Sequence, residues 1–251
     1  KLRSKGFNVP KLILIIQKRL IDNSDKVINQ IFNNFKNKIA IRSSAINEDS
    51  SKESLAGKYL SFLNINPKEK MLVNNKIKKV IEGYNNNKDN EIIVQDMVKN
   101  TVISGVCTTV DLHNYLPVIN INYDKSSLTD TVTSGLNNTF TLTIFEKKID
   151  KIKDKKIKNL LIEIKKLKKV FKSNLLDIEF AINKNDKVFI LQVRKIVLPK
   201  NKKVFSSNVY NKLLNGLQKK IIKLQEKNYD LFGNTNCFGV MPDWNPAEII
   251  G

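Results

Sequence analysis

The chain has 251 residues, of which 41% are hydrophobic, so a disordered chain without a buried core is excluded. Its formal charge is +20, but only four of the 44 basic residues are arginine, and arginine forks are the usual readers of base edges. We therefore expect no nucleic-acid partner, although a basic nucleic-acid binder stays an alternative. The longest apolar run, 12–16, is too short for a bilayer and the two cysteines stand alone, so we expect no membrane contact and a cytoplasmic location.

Hydrophobic periodicity predicts both strands and helices in the first third of the chain. Short β-branched runs between turn residues indicate strands, and apolar residues three or four apart indicate helices. The predicted elements are a strand at 12–16, a helix at 23–35 capped by Asn23 and Ser24, strands at 38–42 and 57–65, and a helix at 67–84.

The remainder of the chain is richer in strands. The predicted elements are strands at 91–97, 101–110, 116–123 and 139–145, a lysine-rich helix at 151–171, a hairpin at 175–183 and 187–193, and a helix at 209–225 before an irregular tail. Strands and helices without strict alternation predict an α+β fold. No P-loop and no dinucleotide glycine fingerprint occurs in the sequence.

The hairpin has one apolar and one polar face, because strand side chains alternate. A four-residue turn at 183–186 predicts that Asp177 lies opposite Gln192 and that Glu179 lies opposite Ile190. Arg194 would share the polar face. The predicted apolar face consists of Ile178, Phe180, Ile182, Phe189, Leu191 and Val193.

The polar face of the hairpin has the chemistry of a phosphate and metal site. Oxygen ligands from Asp177, Glu179 and Gln192 suit Mg²⁺ that also holds phosphate oxygens. Arg194 would contact phosphate in a bidentate manner. The alternative is an amphipathic hairpin whose polar face is simply solvated.

A second polar stretch follows the strand at 38–42. Arg42 is succeeded there by Ser43 and Ser44 and by a loop of small and polar residues. Small side chains allow backbone amides to approach phosphate oxygens, and Arg42 could neutralise transferring charge. The alternative is an ordinary serine-rich loop in which Asp49 caps a helix.

Four blocks of the sequence together carry a family resemblance. They are Gly6-Phe7-Asn8-Val9-Pro10; Ile41-Arg42-Ser43-Ser44-Ala45 with Glu48-Asp49-Ser50 and Leu55-Ala56-Gly57; Val94-Gln95-Asp96-Met97-Val98 with Ser104-Gly105-Val106; and Asp177-Ile178-Glu179-Phe180 with Leu191-Gln192-Val193-Arg194. In order and spacing, from about residue 1 to 198, they resemble the N-terminal domain of the pyruvate phosphate dikinase and phosphoenolpyruvate synthase family.

The resemblance implies a two-lobed, ATP-grasp-like α+β domain that closes on ATP and Mg²⁺. It implies that Arg42 and Arg194 hold the phosphates as the catalytic cations. The remaining implied contacts are the nucleotide-binding residues Ser43, Ser44, Gln95, Met97, Val98 and Gly105, and the metal-binding residues Asp177, Glu179 and Gln192. In the family, ATP phosphorylates a histidine on a separate domain of the same longer protein, and a third domain passes the phosphoryl group to pyruvate.

The chain also departs from the family pattern. The family's phosphate-binding lysine precedes the Gly-Phe-x-Val-Pro block, so we expect a truncated N-terminus, and a serine- and threonine-rich stretch at 126–135 replaces the expected glycine-rich one. We predict a nucleotide-binding domain at 1–198 and, at 199–251, a helical linker that starts a further region. The open alternatives are a dikinase module for another acceptor, such as a glycan or antibiotic, and a degenerate nucleotide-binding module without turnover.

Overall fold

The computed structural model describes residues 2–44, 60–84, 89–125 and 140–224. The chain divides into two units, Lys1–Lys203 and Val204–Gly251. The predicted motifs at 45–58 and 126–135, together with the tail after 224, lie outside the described residues.

The first lobe is a four-stranded antiparallel sheet covered on one face by two helices. Its strands are β1 (Leu12–Ile16), β2 (Ile39–Ser44), β3 (Ser61–Ile65) and β4 (Glu91–Asp96), in the order β1-β4-β2-β3. The covering helices are α1 (Gln17–Asn34) and α2 (Lys70–Glu82). A core of β-branched residues from alternate strand positions, with Phe35, fills the space beneath the helices.

Helix α1 differs from its predicted start. It begins at Gln17, and Asn23 interrupts it with non-helical angles of φ −151° and ψ 60°. The predicted capping residue therefore lies at a break inside the helix, because the apolar residues before it, including the buried Leu20, also join the core.

The second lobe is a five-stranded antiparallel sheet. Its strands are β5 (Thr101–Thr108), β6 (Val118–Asp124), β7 (Phe140–Phe145), β8 (Leu176–Asn183) and β9 (Val188–Lys195), in the order β7-β6-β5-β8-β9. Helix α3 (Lys155–Phe171) buries its apolar stripe in the core of this lobe. The Asp154 carboxylate caps α3 by accepting from the amides of Lys156 and Ile157, so the helix starts later than predicted, after a short 3-10 helix at Glu146–Lys151.

The N-terminal segment belongs to the second lobe although β1 lies in the first. Phe7 is buried in the second core. The Ile190 amide donates to the Asn8 carbonyl at 2.9 Å, and Asn8 Nδ2 donates to the Val188 carbonyl at 3.1 Å. The Gly-Phe-x-Val-Pro block therefore lies along the edge of β9 before the chain crosses to the other sheet.

The predicted α+β class and its two-lobed organisation are confirmed. Each lobe has its own sheet and its own hydrophobic core. The C-terminal extension begins with helix α4 (Ser207–Leu224). Among the described helices, none combines the length and the apolar character that a bilayer span requires.

The hairpin of β8 and β9 has a different register from the predicted one. Asp177 pairs with Arg194 and Glu179 with Gln192, and the register shifts between Glu179 and Phe180. Leu191 is the extra residue of this β-bulge, since Phe180 pairs with Ile190. The predicted core positions of Phe189 and Leu191 are therefore wrong. The residues of β9 that lie in the second core or against it are Val188, Ile190 and Val193.

The bulge can be tested by two substitutions in neighbouring positions. Ile190→Ala should lower the free energy of unfolding by about 2–5 kcal/mol, because Ile190 is 1% exposed. Phe189→Ala should cost about 1–2 kcal/mol, because Phe189 is only partly buried. Chemical denaturation measures both values. A larger loss of unfolding free energy for Phe189→Ala than for Ile190→Ala would support the register predicted from the turn instead.

Candidate functional site

The first sheet presents a polar set on the face that its helices leave uncovered. In the register of β2 and β4, Arg42 lies opposite Ile93 and Ser44 opposite Glu91, while Gln95 lies opposite Ala40. Ile39, Ile41, Ile92 and Val94, at the alternate positions of the two strands, are buried in the core beneath α1 and α2. Alternation therefore places Arg42, Ser44 and Gln95 together on the other face.

The second sheet presents a matching polar set. Asp177 and Glu179 alternate with the fully buried Ile178 and Phe180, so the two carboxylates lie on the face opposite the helix-covered core. The bulge brings Gln192 and Arg194 directly opposite these carboxylates.

An ion pair connects the two sheets. Arg42 Nη1 donates to Glu179 Oε2 at 2.6 Å, and the two side chains are 15% and 27% exposed. The pair joins β2 of the first lobe to β8 of the second, across 137 residues of sequence. It fixes where the two polar sets meet.

Gln192 and Arg194 continue this arrangement along the second sheet. When the Gln192 amide is oriented with its nitrogen toward Glu179, it donates to Glu179 Oε1 at 3.1 Å. Its oxygen then accepts from Nε and Nη2 of Arg194, at 2.5 Å each. Arg42, Glu179, Gln192 and Arg194 thus form a continuous chain of hydrogen bonds. Strand alternation predicted that Glu179, Gln192 and Arg194 share a face, and the family resemblance implied that Arg42 joins them.

Two buried donors in the described part of the first lobe have no acceptor. They are Nε2 of Gln95, whose residue is 3% exposed, and Nε of Arg42. An unsatisfied buried donor costs roughly 1–3 kcal/mol. Both residues lie on the helix-free face, so these donors fit a ligand that supplies acceptor atoms there.

The oxygen ligands predicted for a metal lie close together but are few. Within the described ranges, no group of three or more His, Cys, Asp or Glu side chains is arranged to hold a metal ion. Asp177, Glu179 and Gln192 share one face and provide carboxylate and amide oxygens. Such a set fits Mg²⁺ that takes most of its ligands from phosphate and water.

The two predicted serines face in different directions. Ser44 shares the face of Arg42, whereas Ser43 lies opposite Ile92 and is directed toward the helix-covered side of the sheet. The structure therefore brings Ser44 to the candidate site and leaves the side chain of Ser43 outside it.

Met97 and Val98 lie in the connection between the lobes. The Met97 amide donates to the Lys38 carbonyl at 2.9 Å, and the Val98 carbonyl accepts from Thr101 Oγ1 at 3.0 Å. They follow Asp96, the last residue of β4, and precede β5 of the second lobe.

Gly105 lies in the middle of β5, between Tyr123 and Phe180 in the sheet. A Cβ atom at this position would lie 2.2 Å from the Asn122 carbonyl oxygen. Close strand packing therefore requires this glycine, independently of any ligand.

Sequence reasoning missed one polar group near the site. The Tyr84 hydroxyl accepts from the Ser44 amide at 3.0 Å and donates to the Glu91 carbonyl. The sequence predicted Tyr84 only as the end of a helix. The available signal was an aromatic residue with a polar tip at the end of an amphipathic helix, and such residues usually find a partner when buried.

The ion pair between the lobes should contribute measurably to stability. A double-mutant cycle with Arg42→Ala and Glu179→Ala should give a coupling energy of about 1 kcal/mol in chemical denaturation, weakening as salt is added. The control cycle is Glu163 with Lys166 on α3, a pair at 2.7 Å with Lys166 57% exposed. A coupling no larger than that of the control would contradict a specific contact between the sheets.

The comparisons with known proteins agree with the predicted resemblance. Residues 11–133 match the family model described as pyruvate phosphate dikinase, AMP/ATP-binding domain. No curated protein sequence matches the chain.

Several solved structures are similar in fold. The VanG D-Ala:D-Ser ligase of Enterococcus faecalis is 11% identical with a TM-score of 0.45, and the match covers 78% of this chain and 50% of the ligase. The D-alanine-D-alanine ligase of Helicobacter pylori is 12% identical with a TM-score of 0.40, and the match covers 77% and 51%. A protein of Pyrococcus horikoshii is 17% identical with a TM-score of 0.45, and the match covers 79% and 88%.

The chain thus spans about half the length of these two ligases. The family match ends at 133, before the hairpin of β8 and β9, so the roles of the hairpin residues rest on geometry and on the motif. Over residues 11–133, the resemblance drawn from the sequence blocks is confirmed: this region matches the AMP/ATP-binding domain of the pyruvate phosphate dikinase family.

Proposed function

We propose that the two sheets bind ATP with Mg²⁺ between their polar faces and position a phosphoryl group for transfer. The observation that carries this proposal is the Arg42–Glu179 contact at 2.6 Å. It brings together, from opposite lobes, a guanidinium that can bind phosphate and a carboxylate that can bind a metal ion. The AMP/ATP-binding family match over residues 11–133 supports the nucleotide as ligand.

The phosphate end of the ligand would lie between Arg42 and Arg194. A guanidinium offers parallel donors that match two phosphate oxygens, which a lysine cannot do. The chain retains only four arginines among 44 basic residues, and two of them belong to this arrangement. Bound Mg²⁺ would neutralise charge on the phosphates, and Asp177, Glu179 and Gln192 would hold it.

Binding would exchange the partners of the ion pair. Without ligand, Glu179 occupies Nη1 of Arg42. With Mg²⁺ and ATP present, Glu179 would turn to the metal and Arg42 to a phosphate oxygen, so each charge keeps an opposite charge nearby. The two side chains are already largely buried, so little additional ordering is required.

The base end of the ligand would lie toward the link between the lobes. Gln95 offers a buried Nε2 donor without an acceptor, and a ring nitrogen of adenine could satisfy it. Met97 and Val98 continue the chain beyond Gln95 and would border the base.

The acceptor is a finer part of the proposal. By the family resemblance, we propose a histidine on a separate domain as the first acceptor, pyruvate as the second, and the cytoplasm as the compartment. The full gene product would be incubated with radiolabelled ATP. An acid-labile phosphoryl label on histidine would support this acceptor, and a label found only on another acceptor would exclude it.

Arg42→Lys tests the need for a planar cation. By isothermal calorimetry, wild-type protein should bind ATP in the presence of Mg²⁺, and Arg42→Lys should bind it about tenfold more weakly although the charge is retained. Arg19→Lys, at an exposed position of α1, is the matched control and should bind like the wild type. Full affinity in Arg42→Lys together with a loss in Arg42→Ala would mean that charge alone matters.

Glu179→Gln separates the metal-dependent part of binding from folding. The affinity gained by adding Mg²⁺ should fall about tenfold, because the metal loses an anionic ligand. Affinity for ATP in EDTA should rise, because Arg42 no longer pairs with a carboxylate and one negative charge is gone. The free energy of unfolding should change by about 1 kcal/mol.

Glu163→Gln, on α3, is the control for that experiment and should leave both affinities unchanged. If Glu179→Gln changed the affinity for ATP equally with and without Mg²⁺, Glu179 would not be a ligand of the proposed metal site.

A further inference from the structure

Tyr84 lies just beyond the end of α2 and combines a buried ring with a hydroxyl that both donates and accepts a hydrogen bond. The residue is 7% exposed, and its ring belongs to the core of the first lobe. The hydroxyl accepts from the Ser44 amide and donates to the Glu91 carbonyl. One hydroxyl thus serves one donor and one acceptor of the backbone.

These two backbone groups are partners in the strand ladder. The Met97 amide bonds to the Lys38 carbonyl, so the pair 38 and 97 is a hydrogen-bonded pair. Positions at which amide and carbonyl face the neighbouring strand recur at every second pair of an antiparallel ladder, so the Ser44 N–H and the Glu91 C=O are directed toward each other. The Tyr84 hydroxyl therefore joins both groups of the last pair between β2 and β4.

This pair lies at the end of β2, next to the candidate site. Ser44 is the last residue of β2, and Arg42 lies two positions earlier on the same face. Arg42 reaches Glu179 from this end of the strand. A shift of the strand end toward or away from β4 would move the guanidinium relative to the second sheet.

We propose that Tyr84 is a positioning residue for phosphate binding, and this rests on the proposed function. Its hydroxyl sets the distance between the ends of β2 and β4 and thereby holds Arg42 in line with Glu179. Tyr84 itself stays in the hydrophobic core and does not touch the ligand. Phenylalanine would preserve the ring packing, but Ser44 N–H and Glu91 C=O could then be satisfied only by each other or by water.

Tyr84→Phe tests the inference by separating phosphate binding from base binding. By calorimetry, affinity for ATP with Mg²⁺ should fall about tenfold, whereas affinity for adenosine should stay within about twofold of wild type. Tyr115→Phe, in the connection between β5 and β6, is the matched control and should change neither affinity. A merely structural role would lower both affinities together or change only the melting temperature.

The outcomes distinguish this inference from the proposed function. No binding of ATP by the wild type would overturn the proposed function, and the inference with it. Wild-type affinity for ATP in a folded Tyr84→Phe protein, or equal losses for ATP and adenosine, would overturn the inference alone. Amide hydrogen exchange in the wild type gives a second test: the Ser44 amide should be strongly protected without nucleotide, and rapid exchange would also overturn it.

Discussion

The ion pair between Arg42 and Glu179 is the contact on which the rest of the candidate site depends. It requires a cation from one sheet and a carboxylate from the other to meet at 2.6 Å while both sheets keep their opposite faces against helices. Strand alternation permits this because the core-side neighbours of Arg42 and Glu179, such as Ile41, Ile178 and Phe180, are apolar. The same strand register therefore places the core residues on one face of each sheet and the site residues on the other.

The bulge in the hairpin is needed for that register. The last pair before the turn is Ile182 with Val188, and continuing it without interruption would bring Gln192 opposite Ile178 in the core. The extra residue, Leu191, restores the alternation, so that Gln192 and Arg194 lie beside the carboxylates while Ile190 stays buried. One inserted residue thus reconciles an apolar core with a polar site on the same strand.

The sequence was sufficient to predict the strands and the apolar faces of the helices, because these follow from local periodicity. The candidate site residues came instead from strand alternation in the hairpin and from the family resemblance. The sequence was insufficient for the hairpin register, because the loop before Val188 is one residue longer than predicted and the bulge at Leu191 shifts the register again. It also missed the first helical segment of α1, at 17–22, because those residues become helical only through packing against the sheet; the segment that follows the non-helical Asn23 agrees with the predicted helix. Tyr84 escaped prediction because its partners lie 40 and 7 residues away and belong to two different strands.

The first lobe holds two buried donor groups that have no hydrogen-bond partner among the described residues. The buried Gln95 and Arg42 donors without acceptors lower stability, which natural proteins accept mostly where function requires it. A nucleotide that accepts hydrogen bonds from these two donors would remove this cost, and its binding would be tighter by the corresponding free energy. On this account, the site is prepared for its ligand by the same packing that holds the two lobes in contact.

The most direct test of the account is to observe the Arg42 guanidinium while nucleotide is added. Nitrogen-15 NMR resolves arginine Nε–H signals, and the chain has only four arginines to assign. We predict that ATP with Mg²⁺ shifts the signals of Arg42 and Arg194 and leaves that of Arg19 unchanged. Arg42 and Arg194 signals that stay unchanged at saturating nucleotide would contradict binding between the two sheets.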